Sequence, residues 1–399
     1  STLYRGDAST ASGSSRRTYV LSSMGLAIKS HMELVSSQVE PYHGGQGKAR
    51  EGAGRRKRGG IRGIRTEHAR EELSMGFVRA AALAGLVVAW PVAAGAAELR
   101  MVSGFPINFT WTEEILKPFI AAVQDSSGGE ISIAVSGPDT IPTFEQFEPV
   151  QAGVFDLLFT HPAYHSGTTS VGLAIDAIAP DPEKRREAGI IDAIDRHYAG
   201  LGMKLIAAPA TGTKGFRYYL RDPLDGTPGF DGRKIRGTVS YHPMIRALGG
   251  SPVNLPGGEV YSALQSGVID GAAWGTTGAS DFKWHEVATY VADPAFGQVG
   301  VMIFMNLDAF EALSPEQQAV LLEEGRKIEI ASMARYDVLA EEELARLQEL
   351  GMELTAFDPS EAAQLEDLWA NGVWEVAIEK SGADAEALRA LALEHGMTR

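Results

Sequence analysis

After residue 97 the sequence alternates between segments with the hydrophobic pattern of strands and segments with the pattern of helices. Apolar residues at every second position, or in short uninterrupted runs, indicate strands, and apolar residues three and four apart indicate helices. This pattern predicts strands at 98–103, 130–135, 154–160 and 203–208, and helices at 111–123, 144–152 and 182–200. The βαβα order predicts a parallel sheet with helices on both faces.

The second half continues the alternation and then changes to helix alone. Strands are predicted at 216–220, 234–239, 268–274 and 299–305, with helices at 243–248 and 259–265. Ser314-Pro315 is typical of a helix start, and Gly351 of a helix end, so one helix of about 55 Å is expected between them. The alternative is two helices with a break near Ser332. Helices at about 360–380 and 383–394 close the chain.

The first 97 residues have a different character. Residues 1–74 lack periodicity and are interpreted as a disordered leader or an upstream stretch from a mis-assigned start. Residues 75–97 show a basic start, an apolar run and a small-x-small site, which together predict a secretory signal peptide and a mature chain that begins near Ala97. The alternative is a membrane anchor, which the proline within the run disfavours. The protein is therefore expected to be exported to the periplasm.

Composition narrows the possible functions. The chain has 44% hydrophobic and 22% charged residues, which is typical of a globular protein. The absence of cysteine excludes disulfides, thiol nucleophiles and cysteine-bound metals. The net charge of −15 disfavours nucleic acid as a partner. The sequence contains no G-x-S-x-G, P-loop or H-E-x-x-H motif, so we expect no enzyme activity; the alternative is an exported two-lobe enzyme acting on a small organic acid.

Several residues are candidates for a ligand site because they follow predicted strands, where ligands bind in open α/β sheets. Phe105 follows the first strand and His161 the third, and His161 is expected to hydrogen-bond in a pocket rather than to hold a metal. Trp274 ends a strand before a glycine-rich turn. Arg217 and Arg236 lie in apolar strands and need an anionic partner, which could be a carboxylate of the protein or of a ligand.

Three segments carry a family resemblance. They are Asp231-Gly-Arg-Lys-Ile-Arg236, Ala247-Leu-Gly-Gly-Ser-Pro-Val253 and the run from Gly258 to Gly271, GEVYSALQSGVIDG. With Val150-Gln-Ala-Gly-Val-Phe-Asp-Leu157, they resemble the substrate-binding subunits of tripartite ATP-independent periplasmic (TRAP) transporters, the DctP-type family. The resemblance covers most of the chain after the signal peptide.

The resemblance implies an α/β fold with two lobes that close around a small carboxylate, braced by the long helix. Lobe I is expected at 98–217 plus about 300–335, and lobe II at 218–299 plus about 336–399. Arg236 matches the arginine that clamps the ligand carboxylate, and Arg217 a second arginine that assists. Glu259, within the third segment, is a further ligand-binding candidate.

The resemblance also bears on ligand class and partners. Trp274 matches a tryptophan-bearing branch that includes binders of 2-oxo acids, some with a bound cation. Ala272 and Ala273 precede Trp274 where members carry an acidic residue, so the cation and the identity of the acid stay open. We expect a monomer without a cofactor or metal, which delivers its ligand to TRAP membrane subunits. The alternative is a binding protein that serves a sensor.

Overall fold

The computed structural model describes residues 95–226 and 228–399. The predicted leader (1–74) and most of the predicted signal peptide (75–97) lie outside the described residues. Within the described part of the chain, no helix combines the length and the apolar character needed to cross a membrane.

Eleven strands are found in the described residues, and they form two sheets. They are β1 (Ala97–Ser103), β2 (Ile131–Ser136), β3 (Leu157–Thr160), β4 (Met203–Ala207), β5 (Phe216–Leu220), β6 (Lys234–Arg236), β7 (Ser251–Val253), β8 (Gly271–Gly275), β9 (Tyr290–Asp293), β10 (Met302–Asn306) and β11 (Glu353–Ala356). The first sheet has the order β2-β1-β3-β10-β4, and the second β11-β9-β5-β8-β6-β7. Each sheet forms the centre of one lobe, so the predicted two-lobe α/β fold is confirmed.

The helices pack on these sheets. They are α1 (Lys117–Ser126), α2 (Phe147–Gln151), α3 (Pro182–Glu187), α4 (Ile190–Ala199), α5 (His242–Ala247), α6 (Val260–Gln265), α7 (Leu307–Glu311), α8 (Pro315–Glu349), α9 (Pro359–Ala362) and α10 (Leu365–Glu394). Two predicted helices are interrupted in the structure, 182–200 at a glycine and 111–123 before a proline. Gly189, with φ of 72°, separates α3 from α4. Before Pro118, the turn Thr112–Leu116 is wider, and Lys117 N–H donates to Thr112 O five residues back.

The prediction of a parallel sheet is wrong for both lobes, because each sheet is mixed. β1 pairs in parallel with β2 and β3, but β10 enters the first sheet antiparallel to β3 and β4. In the second sheet β5 is antiparallel to β8 and β9. β10 begins almost 100 residues after the end of β4. The local hydrophobic pattern therefore could not show that β10 enters the sheet in the antiparallel direction.

The chain passes between the lobes through two segments that lie side by side. Residues 208–215 lead out of the first sheet and residues 294–301 lead back, and Thr211 N–H donates to Val299 O at 3.0 Å. β5 begins at Phe216, so the predicted lobe boundary after 217 falls inside a strand of the second sheet. The boundary is better placed in these crossing segments.

The long helix is continuous. α8 has 35 residues, which corresponds to about 52 Å, and Ser332 lies within it, so the alternative of a break there is wrong. Ser314 and Gln317 form the predicted capping box at its start. Its first half packs on α1 and β4 of lobe I, and Glu343 in its second half accepts hydrogen bonds from Ser280 of lobe II. α8 therefore contacts both lobes.

Candidate functional site

A small cavity lies between the lobes. It is lined by Trp111, His161, Tyr164, Phe216, Arg236, Thr238, Tyr241, Trp274 and Gly275. Its volume is about 10 Å³, which is room for about one water-sized molecule. A larger ligand would need the lining residues to move apart.

Arg236 is the cationic side chain of this cavity. It is the last residue of β6 and only 1% exposed. Its Nε donates to Leu255 O and its Nη1 to Ala273 O, both at 2.8 Å. Its Nη2 is buried and makes no hydrogen bond of normal geometry among the described residues, although the Tyr164 side chain lies close to the guanidinium. Burial lowers the pKa of the guanidinium, but arginine keeps its proton in proteins, so a charged donor remains available inside the cavity.

The partner of this charge is not a carboxylate of the described chain. The nine lining residues include no aspartate or glutamate, and no described carboxylate lies within ion-pair distance of Arg236. Instead, the guanidinium carbon lies 4.9 Å from the centre of the Trp274 ring, over its face. Two backbone carbonyls and an aromatic face compensate the charge only partly, so Arg236 has no full counter-charge among the described residues.

Two phenols complete the polar lining. Burial raises the pKa of Tyr164 to about 12, although the nearby Arg236 charge acts in the opposite direction. Burial also raises the pKa of Tyr241 well above its usual 10.0. Both side chains are therefore neutral hydroxyls at physiological pH, able to donate a hydrogen bond to an anion or to accept one.

His161 lines the cavity; the protein hydrogen-bonds its Nδ1, whereas its Nε2 has no hydrogen-bond partner among the described residues. Nδ1 accepts from Ala163 N–H at 3.2 Å, which caps the short turn that Pro162 begins. Nε2 lies 3.0 Å from Asp176 Oδ2 but forms no hydrogen bond with it, and Asp176 Oδ1 accepts from Gly300 N–H. His161 thus ties the cavity wall to a crossing segment. The described residues contain no cluster of three or more potential metal ligands.

The other predicted site residues do not line the cavity. Arg217 donates through Nη1 to Asp293 Oδ1 at 3.0 Å and to Ala292 O at 3.3 Å, which turns its guanidinium toward β9. Glu259 is exposed at the start of α6. Phe105 is buried behind the wall, edge-on to Trp111 with ring centroids 4.9 Å apart. Of six predicted residues, the structure brings Arg236, Trp274 and His161 together at the cavity.

Several lining residues were not singled out from the sequence. They are Trp111, Tyr164, Phe216, Thr238, Tyr241 and Gly275. A signal for some of them existed, since Tyr164 lies between two histidines after β3, and Thr238 and Tyr241 follow the end of β6. Aromatic residues in such positions are more often part of the core, so chain position alone did not distinguish them.

The lobes also touch each other directly beside the cavity. Trp111 Nε1 donates to Thr277 Oγ1 at 3.0 Å. Thr110 donates to Asp281 Oδ2 from its backbone N–H at 2.9 Å and from its hydroxyl at 2.6 Å. Because one partner in each pair belongs to lobe I and the other to lobe II, the structure represents a closed arrangement of the lobes.

Comparison with known proteins identifies relatives of the whole two-lobe unit. The model of the family described as bacterial extracellular solute-binding protein, family 7 (DctP) matches residues 103–380. The chain is 25% identical over 272 residues to the monocarboxylate 2-oxoacid-binding periplasmic protein of a Nostoc strain, an alignment that covers 65% of this chain and 73% of the relative.

Two solved structures have the same fold. DctP7 of Bordetella pertussis, an extracytoplasmic solute receptor binding pyroglutamic acid, superposes with a TM-score of 0.65 at 21% identity and covers 75% of this chain and 100% of its own. A TRAP transporter solute-binding protein from Bordetella bronchiseptica, with copurified calcium and picolinate in its active site, gives a TM-score of 0.66 at 18% identity and covers 75% and 92%.

Proposed function

Because the chain belongs to the DctP family of bacterial extracellular solute-binding proteins, we propose that it is the receptor of a TRAP transporter that binds a small carboxylate through Arg236 and delivers it to the membrane subunits. The family is one of binding proteins, which agrees with the prediction that the chain is not an enzyme. The names of the relatives, which include binders of 2-oxo acids and of pyroglutamic acid, support a carboxylate as the ligand.

One observation carries the proposal: a buried guanidinium whose Nη2 makes no hydrogen bond of normal geometry faces a cavity without a carboxylate. Arginine presents its donors in a planar fork that matches the two oxygens of a carboxylate. The backbone carbonyls of Leu255 and Ala273 fix the guanidinium through its other nitrogens, so it is oriented before a ligand arrives. In a water-excluded site this charge-assisted contact is stronger than at the surface.

The ligand would also stabilise the closed state. Arg236 belongs to lobe II, whereas Tyr164 and Trp111 belong to lobe I, and all three line the cavity. A molecule that binds between them contacts both lobes, and such a ligand shifts the equilibrium toward closure because it binds the closed form better. Closure is then the signal that membrane subunits can recognise.

Location and partners follow from the same proposal. The predicted signal peptide and the periplasmic location of the Nostoc relative support action in the periplasm. There the chain would act as a monomer that docks on TRAP membrane subunits. We propose no cofactor. One structural relative holds calcium, but the lining of this cavity offers a cation no carboxylate ligand.

The proposal is tested by the thermal stability of the full chain in a panel of organic acids, compared with the Arg236→Lys and Arg217→Lys variants. We expect at least one small carboxylate to raise the melting temperature of the wild type and of Arg217→Lys. Lysine lacks the planar fork, so the shift should be lost or much reduced in Arg236→Lys. Full stabilisation of Arg236→Lys, or no response of the wild type to any acid, would refute the clamp.

A further inference from the structure

The two crossing segments are hydrogen-bonded to each other at both ends but not in the middle. At the lobe I end, Thr211 N–H donates to Val299 O at 3.0 Å, and at the lobe II end Gly215 N–H donates to Gly297 O at 2.8 Å. Between these two pairs, residues 212–214 face a single residue of the returning segment. They make no backbone–backbone hydrogen bond among the described residues. The outgoing segment therefore contains a bulge between the lobes.

This bulge is held by a carboxylate of the long helix. Thr213 donates to Asp337 Oδ1 from its backbone N–H at 2.6 Å and from its hydroxyl at 2.9 Å. Gly212 has φ of 85°, a conformation that glycine adopts without steric cost. A Cβ at Gly212 would lie only 2.7 Å from Asp337 Oδ1. The bulge and the carboxylate therefore fit each other closely in this closed arrangement of the lobes.

Asp337 is the most exposed of three carboxylates through which α8 is attached along this path. Glu329 accepts from Ala208 N–H at 2.7 Å, at the start of the outgoing segment, and is 1% exposed. Glu343 holds the loop of lobe II and is 9% exposed. Asp337 lies between them on the helix and is half-buried. Water competes best for the hydrogen bonds of the most exposed carboxylate, so the attachment at Asp337 breaks most readily.

Bending between the lobes requires the backbone of the bulge to change. The residues before the bulge are fixed to α8 through Glu329, and the second sheet begins after it at Phe216. Gly212 has the widest range of backbone torsion angles in the bulge. Rotation about these angles moves Thr213 N–H relative to α8, so both hydrogen bonds to Asp337 require the present shape of the bulge. Hinges are short segments of this kind, which absorb changes in φ and ψ.

We propose that residues 212–214 are the pivot of lobe opening, and that Asp337 is a positioning residue that holds the pivot in its closed conformation through Thr213. Opening then releases Thr213 from Asp337, and closure restores both hydrogen bonds. The inference deepens the proposed function and rests on it, because a receptor of this kind retains its ligand by closing. The equilibrium between open and closed lobes can nevertheless be measured without a ligand.

The test measures the distance between the lobes in the full chain. Because the sequence contains no cysteine, spin labels can be attached at Ser132→Cys and Ser251→Cys alone. Both serines are exposed, and they lie on β2 and β7, the edge strands farthest in each sheet from the strands that the crossing segments join. Opening should therefore change their separation strongly. Double electron–electron resonance of the ligand-free protein reports this distance.

We expect Asp337→Ala to shift the distance to larger values than in the labelled parent. Asp337→Asn retains an acceptor oxygen and should keep the distance of the parent. Glu341→Ala is the matched control, because this exposed carboxylate lies one turn farther along α8 and makes no ion pair or hydrogen bond through its side chain among the described residues. A residue with a structural role alone would lower the melting temperature when replaced, but it would not lengthen the distance.

Ligand kinetics provide a second measurement, with pyroglutamate and 2-oxobutyrate as probes. An acid that the parent binds should dissociate about tenfold faster from Asp337→Ala, because the closed form is less populated, whereas its association rate should change little. Asp337→Asn and Glu341→Ala should retain the dissociation rate of the parent.

The outcomes keep this inference apart from the proposed function. An unchanged distance in folded Asp337→Ala, or an equal shift in Asp337→Asn, overturns it whichever acid binds. If Asp337→Ala does not fold, Thr213→Val decides, since it removes only the hydroxyl: a partial shift supports the inference, and no shift overturns it. Failure of all acids to bind any variant counts against the proposed function, and the distances still decide whether Asp337 holds the pivot.

Discussion

Trp111 of lobe I and Trp274 of lobe II lie nearly parallel, with ring centroids 5.9 Å apart and 13° between their planes. Both indoles also line the cavity. Stacked aromatic pairs contribute about 0.5–1.5 kcal/mol beyond the area that they bury. The same groups that would enclose a ligand therefore hold the lobes together, so closure and ligand binding are expected to be linked.

A methyl group at Gly275 should separate this pair. A Cβ at that position would lie 2.7 Å from Trp111 Cζ2, a distance that requires a shift. We expect Gly275→Ala to disfavour closure and to weaken ligand binding by about 1–3 kcal/mol, which is roughly 5- to 150-fold. Small-angle scattering should show a larger radius of gyration than for the wild type.

Gly258→Ala is the control for this variant, because a Cβ there has no neighbour within 4 Å. It should bind and scatter as the wild type does. A Gly275→Ala protein with unchanged affinity and unchanged dimensions would show that the contact between the indoles does not limit closure.

Arg217 provides a separate prediction. The family resemblance assigns it a supporting role at the ligand, and in the register of β5 and β8 it lies opposite Trp274. Its guanidinium nevertheless pairs with Asp293, a side chain that is 53% exposed. Such pairs contribute at most about 1 kcal/mol. We therefore expect Arg217→Gln to change acid affinity less than about threefold, and Arg236→Gln to cost about 2–5 kcal/mol.

Calorimetric titration of both variants with one stabilising acid checks this prediction. A loss of more than tenfold in Arg217→Gln would mean that the guanidinium leaves Asp293 to reach the ligand, as the resemblance implies.

The sequence predicted those features whose cause is local. The start of α8 could be predicted because Ser314, Pro315 and Gln317 are neighbours in the chain. Arg236 was recognisable because a charge in an apolar strand requires a partner. The partner of Arg217 could not be predicted, since Asp293 is 76 residues away and the pairing depends on the position of β9 in the sheet.

The aromatic lining escaped prediction for a related reason. Trp111 and Tyr241 have the burial and spacing of core residues, and only the meeting of the two lobes places them at a cavity. A hydrophobic pattern reports that a side chain is buried, and it does not report whether the neighbour is protein or ligand.

His165 makes stability depend on pH. Burial, with a smaller effect of His161, lowers the pKa of His165 from 6.5 to about 3. Below pH 6.5 the unfolded chain therefore binds a proton at this histidine that the folded chain does not bind. The free energy of unfolding is then unaffected by His165 above pH 6.5 and is lowered progressively as the pH falls toward 3. Between pH 7.5 and pH 5 the free energy of unfolding should fall by about 2 kcal/mol from this group.

Urea unfolding at several pH values measures this dependence. His165→Gln retains an acceptor for the Tyr198 hydroxyl, which lies 2.7 Å from His165 Nε2, and should flatten the slope between pH 5 and pH 6.5. His395→Gln is the control, because His395 is exposed in the folded chain as it is in the unfolded chain. An identical slope in wild type and His165→Gln would contradict the assignment.

The last prediction concerns the attachment of α8 to lobe II. Glu343 is 9% exposed, and its two oxygens accept from Ser280 N–H at 2.8 Å and from Ser280 Oγ at 2.7 Å. The next residue, Asp281, accepts the hydrogen bonds from Thr110 of lobe I. The helix therefore positions the loop through which the lobes make contact.

Removing this attachment should lower stability and loosen closure together. Hydrogen bonds to charged groups contribute about 1.5–3 kcal/mol, so Glu343→Ala should lower the free energy of unfolding by that amount or more. Ser280→Ala removes the hydroxyl and keeps the backbone N–H. A double-mutant cycle of the two substitutions should therefore give a coupling energy of at least about 0.5 kcal/mol.

Glu342→Ala, one residue earlier, is the control, since that carboxylate is 60% exposed and lies 3.7 Å from Arg335 Nη1. Its effect should be below about 1 kcal/mol. Glu343→Ala should also weaken binding of a stabilising acid, because Asp281 would no longer be held in place for Thr110, whereas Glu342→Ala should not. Strictly additive effects of Glu343→Ala and Ser280→Ala, with unchanged acid affinity, would show that α8 supports the fold without influencing closure.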